Sequence, residues 1–286
     1  MLFGFDKGRV EMPGFSITQK RRLVELNAET EIIDKVFHDV AERDNFFDDY
    51  ITKVTNDAKV QLRQLASSGN LSALSAIERD VSNVVTSLGF TEVRTPIIIP
   101  ESYIRKMGID ENNKLWKQIV WLGNNKCLRP MLAPNLYHML KSLRRFIHSV
   151  SIFEIGPCFR EEEEGTLHLL EFTMANIVVL APDKDPNIIL KEIISRVMQS
   201  ADLPDYKIEE SSCVVYGKTL DVFVNDTEVA SGVVGPIPMD KNWGIDESWA
   251  GVGFGLERLV MLKRGLRRIK PVGRSLTHLN GIYLNM

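Results

Sequence analysis

Two observations predict an α+β chain, with a largely antiparallel run of strands behind an N-terminal helical appendage. Residues 1–70 are charged and helix-periodic, and the C-terminal half carries a largely antiparallel run of strand patterns separated by turn residues. With 286 residues, 44% hydrophobic and 26% charged, the chain has material for one large domain or two smaller ones with an ample core.

Taken in order, residues 1–15 are punctuated by glycine. Ser16-Ile17-Thr18-Gln19 has capping-box spacing, so a helix carrying Lys20, Arg21 and Arg22 is expected there. A second helical pattern from about Ile32 to Leu65 ends at Ser67-Ser68-Gly69-Asn70. Leu71, Leu74, Ile77, Val81, Val84, Val85 and Leu88 recur at three and four, which predicts an amphipathic helix closed by Gly89. The strand from Gly89 to Pro100 contains Pro96, which cannot donate to a ladder, so the strand should lie at a sheet edge or be interrupted there. Such an element fits a dimer seam and a plain sheet edge equally well.

A short helix is expected near Pro100–Met107, then paired strands at Val120-Trp121 and Cys127-Leu128 around an Asn-Asn turn. A helix opened by Pro134 follows, with Leu136, Tyr137, Leu140 and Leu143 on one face. Phe153 to Phe172 reads as an apolar strand, a break at Gly156-Pro157, and a second strand carrying Arg160. An acidic turn with Gly165 and a strand through Leu167, Leu169 and Phe172 complete it. Arg160 beside a loop suits an oligoanion, because guanidinium binds phosphate oxygens bidentately. It equally suits a hairpin whose arginine neutralises its own glutamates. A strand at Thr173–Leu180, a helix from Pro186 to about Ser200, and strands at Lys207–Tyr216, Thr219–Val224 and Glu228–Val234 come next. Gly251-Val252-Gly253-Phe254-Gly255-Leu256-Glu257-Arg258 then leads into a helix over Leu259–Lys263. Alternate glycines leave one strand face bare, either for a flat ligand or for close backbone packing, and Arg258 near a helix start suits phosphate. The spacing is not that of a dinucleotide-binding fingerprint.

A net charge of −3 gives no global attraction to nucleic acid, so RNA binding must use local basic patches. Three are present: Lys20-Arg21-Arg22, Lys141 with Arg144-Arg145, and the run from Lys263 to Arg274. Each is also what a solvated helix face looks like. The three cysteines and five histidines are scattered, with neither a zinc signature nor a disulfide framework. No signal-peptide pattern opens the chain and no apolar run approaches the ~20 residues of a membrane span, which predicts a cytoplasmic protein without a membrane partner.

Three features thus stand in fixed order: a helix-strand-proline element, a strand-arginine-loop-strand element, and a glycine-rich strand leading to an arginine-bearing helix. Gly89–Pro96, Phe159-Arg160-Glu161-Glu162 with His168 and Phe172, and Gly251–Arg258 resemble the three signature motifs of class II aminoacyl-tRNA synthetases. Longer runs narrow the resemblance to the pyrrolysyl-tRNA synthetase family: Lys126–Tyr137, Ile152–Cys158, Glu171–Met174, Val215–Gly217, Gly235–Pro238, Phe254–Leu259 and Leu279–Gly281. The likeness covers residues 71–286 well and the first 70 more loosely. It implies a tRNA-contacting helical region over 1–70 and a catalytic domain over 71–286. The basic tRNA-binding domain fused ahead of the catalytic part in some members is expected to be absent.

The resemblance further implies a class II antiparallel sheet flanked by helices, and a homodimer formed through Gly89–Pro96. It implies a two-step reaction in which an amino acid is activated with ATP and transferred to the amber-decoding tRNA. Arg160 would clamp the carboxylate and α-phosphate. Arg258 would hold the γ-phosphate end and stack on adenine opposite Phe172, Glu162 would accept from the adenine amino group, and His168 would reach phosphate. Glu228 and Ser231 match positions that hold Mg²⁺. The amino-acid pocket carries over onto Ala133, Leu136, Tyr137, Leu140, Asn176, Val178, Tyr216, Val233 and Trp249. These give an apolar cavity with few polar handles, Asn176 bonding a side-chain carbonyl and Tyr216 capping the pocket. tRNA contact is assigned to Lys20, Arg21 and Arg22 and to the basic C-terminal helix, with a separate small tRNA-binding protein as a further partner. Two departures stand out: Glu161–Glu164 occupies a place where relatives put a lysine after the arginine, and Ala175 stands where they have leucine, which would widen the pocket floor. Competing readings are another class II ligase, phenylalanyl-like or tRNA-independent, and a non-catalytic RNA-binding paralogue. Asn176, Tyr216 and Trp249 argue against the first, and joint retention of Arg160, Phe172, Glu228 and Arg258 argues against the second.

Overall fold

A computed structural model describes residues 12–69, 71–161 and 167–284. Two compact units divide the chain, one comprising residues 1–70 with 277–286 and the other residues 71–276. The expected second domain therefore loses its last ten residues, 277–286, to the N-terminal unit.

In the first unit, α1 (Ile17–Glu25) starts at the anticipated capping box, with Ser16 Oγ accepting from Gln19 N at 3.3 Å and Gln19 Oε1 accepting from Ser16 N at 3.0 Å. The pattern read as one helix from Ile32 is two, α2 (Thr30–Ile33) and α3 (Val40–Ser68). The break arises because Asp39 Oδ1 accepts from Glu42 N at 2.8 Å while Glu42 Oε2 accepts from His38 N at 2.7 Å, which starts α3 afresh. Gly69, with φ 57°, closes α3 in the left-handed conformation that glycine adopts without strain. Phe15, Leu23, Ala28 and Phe37 form a small core against Phe46, Phe47 and Tyr50. A C-terminal hairpin pairs His278–Leu279 with Ile282–Tyr283, and the Arg22 guanidinium lies 5.0 Å from the Tyr283 ring centroid.

The second unit runs α4 (Ala73–Ser87), β1 (Thr91–Glu92), β2 (Ile98–Pro100), α5 (Glu101–Lys106), β3 (Trp121–Gly123), β4 (Lys126–Leu128) and α6 (Ala133–Arg144). It continues with β5 (Val150–Phe159), β6 (Glu171–Leu180), α7 (Pro186–Ser200), β7 (Lys207–Cys213), β8 (Gly217–Val224), β9 (Thr227–Gly235), β10 (Trp249–Gly255) and α8 (Leu256–Lys263). Seven strands form one sheet in the order β1-β5-β6-β10-β9-β8-β7. The β1–β5 pair is parallel and the remaining neighbours are antiparallel. The proline-bearing strand is both at an edge and interrupted: β1 sits on the border of this sheet, and β2 belongs to a small β2-β4-β3 sheet.

Both faces of the large sheet are packed, and strand alternation decides what goes where. Ala175, Ile177 and Val179 of β6 and Ala250, Val252 and Phe254 of β10 join the core made with α4, α7 and α8. Val178 and Leu180 of β6, with Trp249 of β10, join a second apolar cluster with α6. Ala175 is thus on the helix side, opposite Phe254 in the ladder, and does not widen the pocket floor.

Two strand expectations change. β5 passes through Gly156-Pro157 without a break, since β1 covers only Ile152 and Phe153 and Pro157 need not donate to a second neighbour there. Arg160 follows the end of that strand. Leu167 and Leu169 are not in a strand, and β6 starts at Glu171.

A buried ion pair holds this end of the sheet. Arg129 Nη1 lies 2.7 Å from Glu154 Oε1, each side chain 2% exposed. Arg129 Nε donates to Pro157 O at 2.8 Å, and Thr95 Oγ1 donates to Glu154 Oε2 at 2.7 Å. Asn135 Nδ2 donates to Thr95 Oγ1 at 2.7 Å and to Pro96 O at 2.8 Å, so the first motif, α6 and β5 are joined through one polar cluster. A Cβ on Gly156 would lie 2.2 Å from Arg129 Nη2, which accounts for a glycine inside this strand. Because removal of one partner leaves a buried charge uncompensated, Glu154→Ala is expected to cost about 3–5 kcal/mol, read from the urea unfolding midpoint.

Candidate active site

A cavity of about 710 Å³ is bounded by β6, β9, β10, α6 and the segment joining β7 to β8. Its floor follows from sheet register. Asn176 and Val178 of β6 stand opposite Gly253 and Gly251 of β10, and Gly251 stands opposite Val233 of β9. A Cβ on Gly253 would lie 3.0 Å from Asn176 Oδ1, and one on Gly251 would lie 3.2 Å from Trp249 Cζ3. The bare glycine face is therefore filled in part by neighbouring side chains and serves close packing as well as cavity volume.

One end is apolar. Ala133, Leu136, Tyr137 and Leu140 reach it from α6, Val178, Val233 and Trp249 from the sheet, and Tyr216 from the β7–β8 connection. Asn176 is the polar exception, and its Oδ1 is buried with no hydrogen-bond partner. An unpaired buried carboxamide oxygen is costly, which marks it as a group waiting for a ligand donor. Burial pushes the Tyr137 and Tyr216 phenols above their usual 10.0, so both stay protonated.

The other end is cationic. Arg160 Nε donates to Pro130 O at 2.8 Å and its guanidinium lies 5.1 Å from the Phe172 ring centroid. Arg258 Nη1 donates to Glu228 O at 2.8 Å and sits 3.8 Å from Glu228 Oε1. His168 lines the same region, and burial with the charges of Arg258 and Arg160 lowers its pKa below 6.5, so it is neutral at pH 7 in the free protein. Burial raises the Glu228 carboxyl above 4.5, and Arg258 opposes that rise. Ser231 Oγ donates to Asp221 Oδ1 at 2.6 Å across the β8–β9 ladder.

All the expected nucleotide and amino-acid positions among the described residues line this one cavity; Glu162 lies outside the described residues, as do Glu163 and Glu164. Glu161 N donates to Gln118 O at 2.7 Å, so the start of the acidic loop is held by the 3₁₀ turn Lys114–Gln118. Lys20, Arg21 and Arg22 belong to the first unit. Lys20 pairs with Asp34 at 3.6 Å and Arg22 with Glu25 at 3.3 Å, which leaves Arg21 as the exposed member.

Three contributors were not anticipated. Asp221 is found only through its register against Ser231. Glu257, buried at 1%, accepts from Thr173 N at 2.8 Å and so fixes the strand next to Phe172. Burial raises the Glu257 carboxyl. Asp240, whose oxygens reach Tyr137 and Trp249 behind the cavity wall, carried no local signal.

A family model for the phenylalanyl tRNA synthetase beta chain CLM domain matches residues 60–248. The phenylalanine–tRNA ligase beta subunit of Borreliella afzelii (strain PKo) is 24% identical over 190 residues, or 65% of this chain, and the chain spans 33% of that subunit's length. Among solved structures, a pyrrolysyl-tRNA synthetase from Desulfitobacterium hafniense superposes with a TM-score of 0.90 at 39% identity, covering 96% of this chain and 99% of that one. The chain belongs to the pyrrolysyl-tRNA synthetase family. A second structure, Desulfitobacterium hafniense PylSc, gives a TM-score of 0.89 at 38% identity with the same coverage. The fold is that of a class II synthetase catalytic domain, and the protein is an aminoacyl-tRNA ligase.

Asn176→Leu replaces the unpartnered oxygen with apolar volume. Without ligand, unfolding stability is expected to stay level or to rise by up to about 1 kcal/mol in urea. A loss larger than that would mean that Asn176 is satisfied in the free protein.

Proposed function

We propose that this ligase activates pyrrolysine or a related Nε-acyl-lysine with ATP and transfers it to the amber-decoding tRNA. The observation that carries the reading is the long apolar end of the cavity with one unpartnered carboxamide, Asn176, on its floor. The amide of an acylated lysine offers that carboxamide both a carbonyl and an N–H, and the hydrocarbon stem matches the apolar walls.

The cationic end suits the first step. The substrate carboxylate is already ionised at neutral pH, so attack on the α-phosphorus needs no strong base. The new bond joins a carboxylate oxygen to that phosphorus, and the bond to the β-phosphate bridge breaks with its electrons leaving on pyrophosphate. Arg160 takes the carboxylate and α-phosphate, where charge develops; Arg258 takes the γ-phosphate end. Phe172 offers adenine one ring face, the other being covered by Arg160. His168, neutral, contributes an N–H rather than a full charge. In the second step a 3′-terminal ribose hydroxyl attacks the activated carbonyl and AMP leaves.

Glu228 and Ser231 would hold Mg²⁺, which when bound supplies neutralisation of phosphate charge. Among the described residues no group of three or more His, Cys, Asp or Glu side chains fits a metal ion. A carboxylate and a hydroxyl fit a hard cation that keeps water and phosphate oxygens as its other ligands.

Other parts of the proposal concern partners. Ile97, Ile98, Trp121 and Leu122 are large apolar side chains exposed around the β2–β4–β3 sheet, which supports a homodimer seam next to the first motif. Lys20, Arg21 and Arg22 and the basic run from Lys263 to Arg274 would be the tRNA contacts, together with a separate small tRNA-binding protein. That run was expected on a helix, but α8 ends at Lys263 and the rest of it follows the helix. No helix among the described residues is long and apolar enough to cross a membrane, and tRNA charging implies a cytoplasmic location.

ATP–pyrophosphate exchange across an amino-acid panel tests the reading. Pyrrolysine and several Nε-acyl-lysines should drive exchange, because shape-based apolar pockets reject isosteres weakly, by only about 1–3 kcal/mol per methylene. Exchange driven by phenylalanine alone would instead assign a phenylalanyl-like ligase. Arg160→Ala and Arg258→Ala should each lower exchange kcat by roughly 10²–10³-fold.

The acid limb of the exchange profile provides a second test. Since Glu228 is held above 4.5, it loses its negative charge at a higher pH than an ordinary glutamate. KM for Mg-ATP should rise as pH falls toward that value, and Glu228→Gln should raise KM at neutral pH and flatten the dependence.

A further inference from the structure

Asp240 lies in the 3₁₀ turn Pro238–Trp243, is 1% exposed, and does not line the cavity. Its two oxygens nevertheless reach two residues that do. Tyr137 Oη donates to Oδ1 at 2.7 Å, and Trp249 Nε1 donates to Oδ2 at 2.7 Å. The backbone N of Ile237 also donates to Oδ2 at 2.7 Å, so the carboxylate is itself anchored to the turn. Tyr137 comes from α6 and Trp249 from the start of β10. Their rings meet edge to face with centroids 5.9 Å apart.

We infer that Asp240 is a positioning residue that fixes the shape of the amino-acid end of the cavity by tethering the Tyr137 phenol and the Trp249 indole to one carboxylate. The inference deepens, and rests on, the reading of this cavity as the amino-acid site.

Packing alone does not call for a carboxylate here. An apolar side chain of similar volume would fill the space behind the two rings without the cost of burying charge. What the carboxylate adds is direction: two acceptor oxygens on one rigid group, each engaged by a different aromatic donor in a charge-assisted bond. The remaining freedom of each ring is blocked from behind. Trp243 stacks on Tyr137 with centroids 5.4 Å apart and 16° between planes. A Cβ on Gly235 would fall 1.8 Å from Trp249 Nε1, so the indole rests directly on backbone. The tether therefore holds the spacing of two walls that a substrate side chain must pass between. Cutting it frees the rings without removing either from the cavity, which should loosen size selection and leave nucleotide binding alone.

The test compares Asp240→Ala with Asp240→Asn. The carboxamide can keep its oxygen toward Trp249 and Ile237 while its NH₂ donates to the Tyr137 hydroxyl, which switches to acceptor; alanine loses all three bonds. In the exchange assay, Asp240→Ala is expected to raise KM for the best Nε-acyl-lysine about 10–100-fold, to shift the ranking toward bulkier acyl groups, and to change KM for ATP by less than about twofold. Asp240→Asn should restore the wild-type ranking. Tyr137→Phe, which keeps the ring and cuts one arm, supplies an intermediate case should the alanine variant fold poorly. Equal rises in KM for ATP and amino acid, or an unchanged ranking in both Asp240→Ala and Tyr137→Phe, would overturn the inference.

A second arm needs no substrate. In protein labelled with 5-fluorotryptophan, the ¹⁹F line assigned to Trp249 through Trp249→Phe should move or broaden in Asp240→Ala and return in Asp240→Asn. A Trp249 line that stays put when the carboxylate is removed also overturns the tether. If the wild-type protein activates no Nε-acyl-lysine, the substrate class fails, while the fluorine line still decides the role of Asp240.

Discussion

Because successive residues of β6 and β10 face opposite ways, Ala175, Ile177 and Val179 must enter the helix-side core once Asn176 and Val178 face the cavity. That constraint propagates through the unit. Gly251 and Gly253 fall opposite Val178 and Asn176, where side chains would close the floor. Gly255 ends the same strand, and Arg258 follows it in the first turn of α8. A shift of register by one residue would exchange the two faces and remove the cavity and the core together. The buried Arg129–Glu154 pair pins this geometry where β5 meets the first motif and α6.

The cavity has two chemistries held apart by these strands. Cations gather where phosphate would sit, each already hydrogen-bonded to the protein: Arg160 to Pro130 O and Arg258 to Glu228 O. Such prior fixing lowers the reorganisation needed when charge develops. At the apolar end the polar atoms of Tyr137 and Trp249 are satisfied behind the surface, at Asp240, which leaves their ring faces and the single unpartnered carboxamide of Asn176 toward the cavity.

Much of this was legible in the residues, for physical reasons that can be named. The three-and-four repeat from Leu74 to Val85 and the capping box at Ser16 are local signals, and the structure follows them. Gly251, Gly253 and Gly255 alternate with Val252 and Phe254 and so announced a two-faced strand. Local signals misled where tertiary context decided. Gly156-Pro157 looked like a break, but the glycine makes room for Arg129 and the proline lies where β5 has no second neighbour. Ala175 was expected to widen the pocket floor because relatives carry leucine there, and alternation sends it to the opposite face. Asp240 and the packing of Tyr283 against Arg22 were not readable, since the partners lie far apart: Tyr137 is 103 residues from Asp240, and Arg22 meets Tyr283 from the other end of the chain. The C-terminal hairpin itself, turned by Asn280-Gly281, carried a local signal that was overlooked.

The most direct test of the central claim is a crystal structure of the protein with an Nε-acyl-lysine and a non-hydrolysable ATP analogue. The account predicts the acyl amide hydrogen-bonded to the Asn176 carboxamide, the hydrocarbon stem between Tyr137 and Trp249, and the carboxylate at Arg160 facing the α-phosphate. An amino acid bound with its amide toward solvent, or with its carboxylate remote from Arg160, would contradict it.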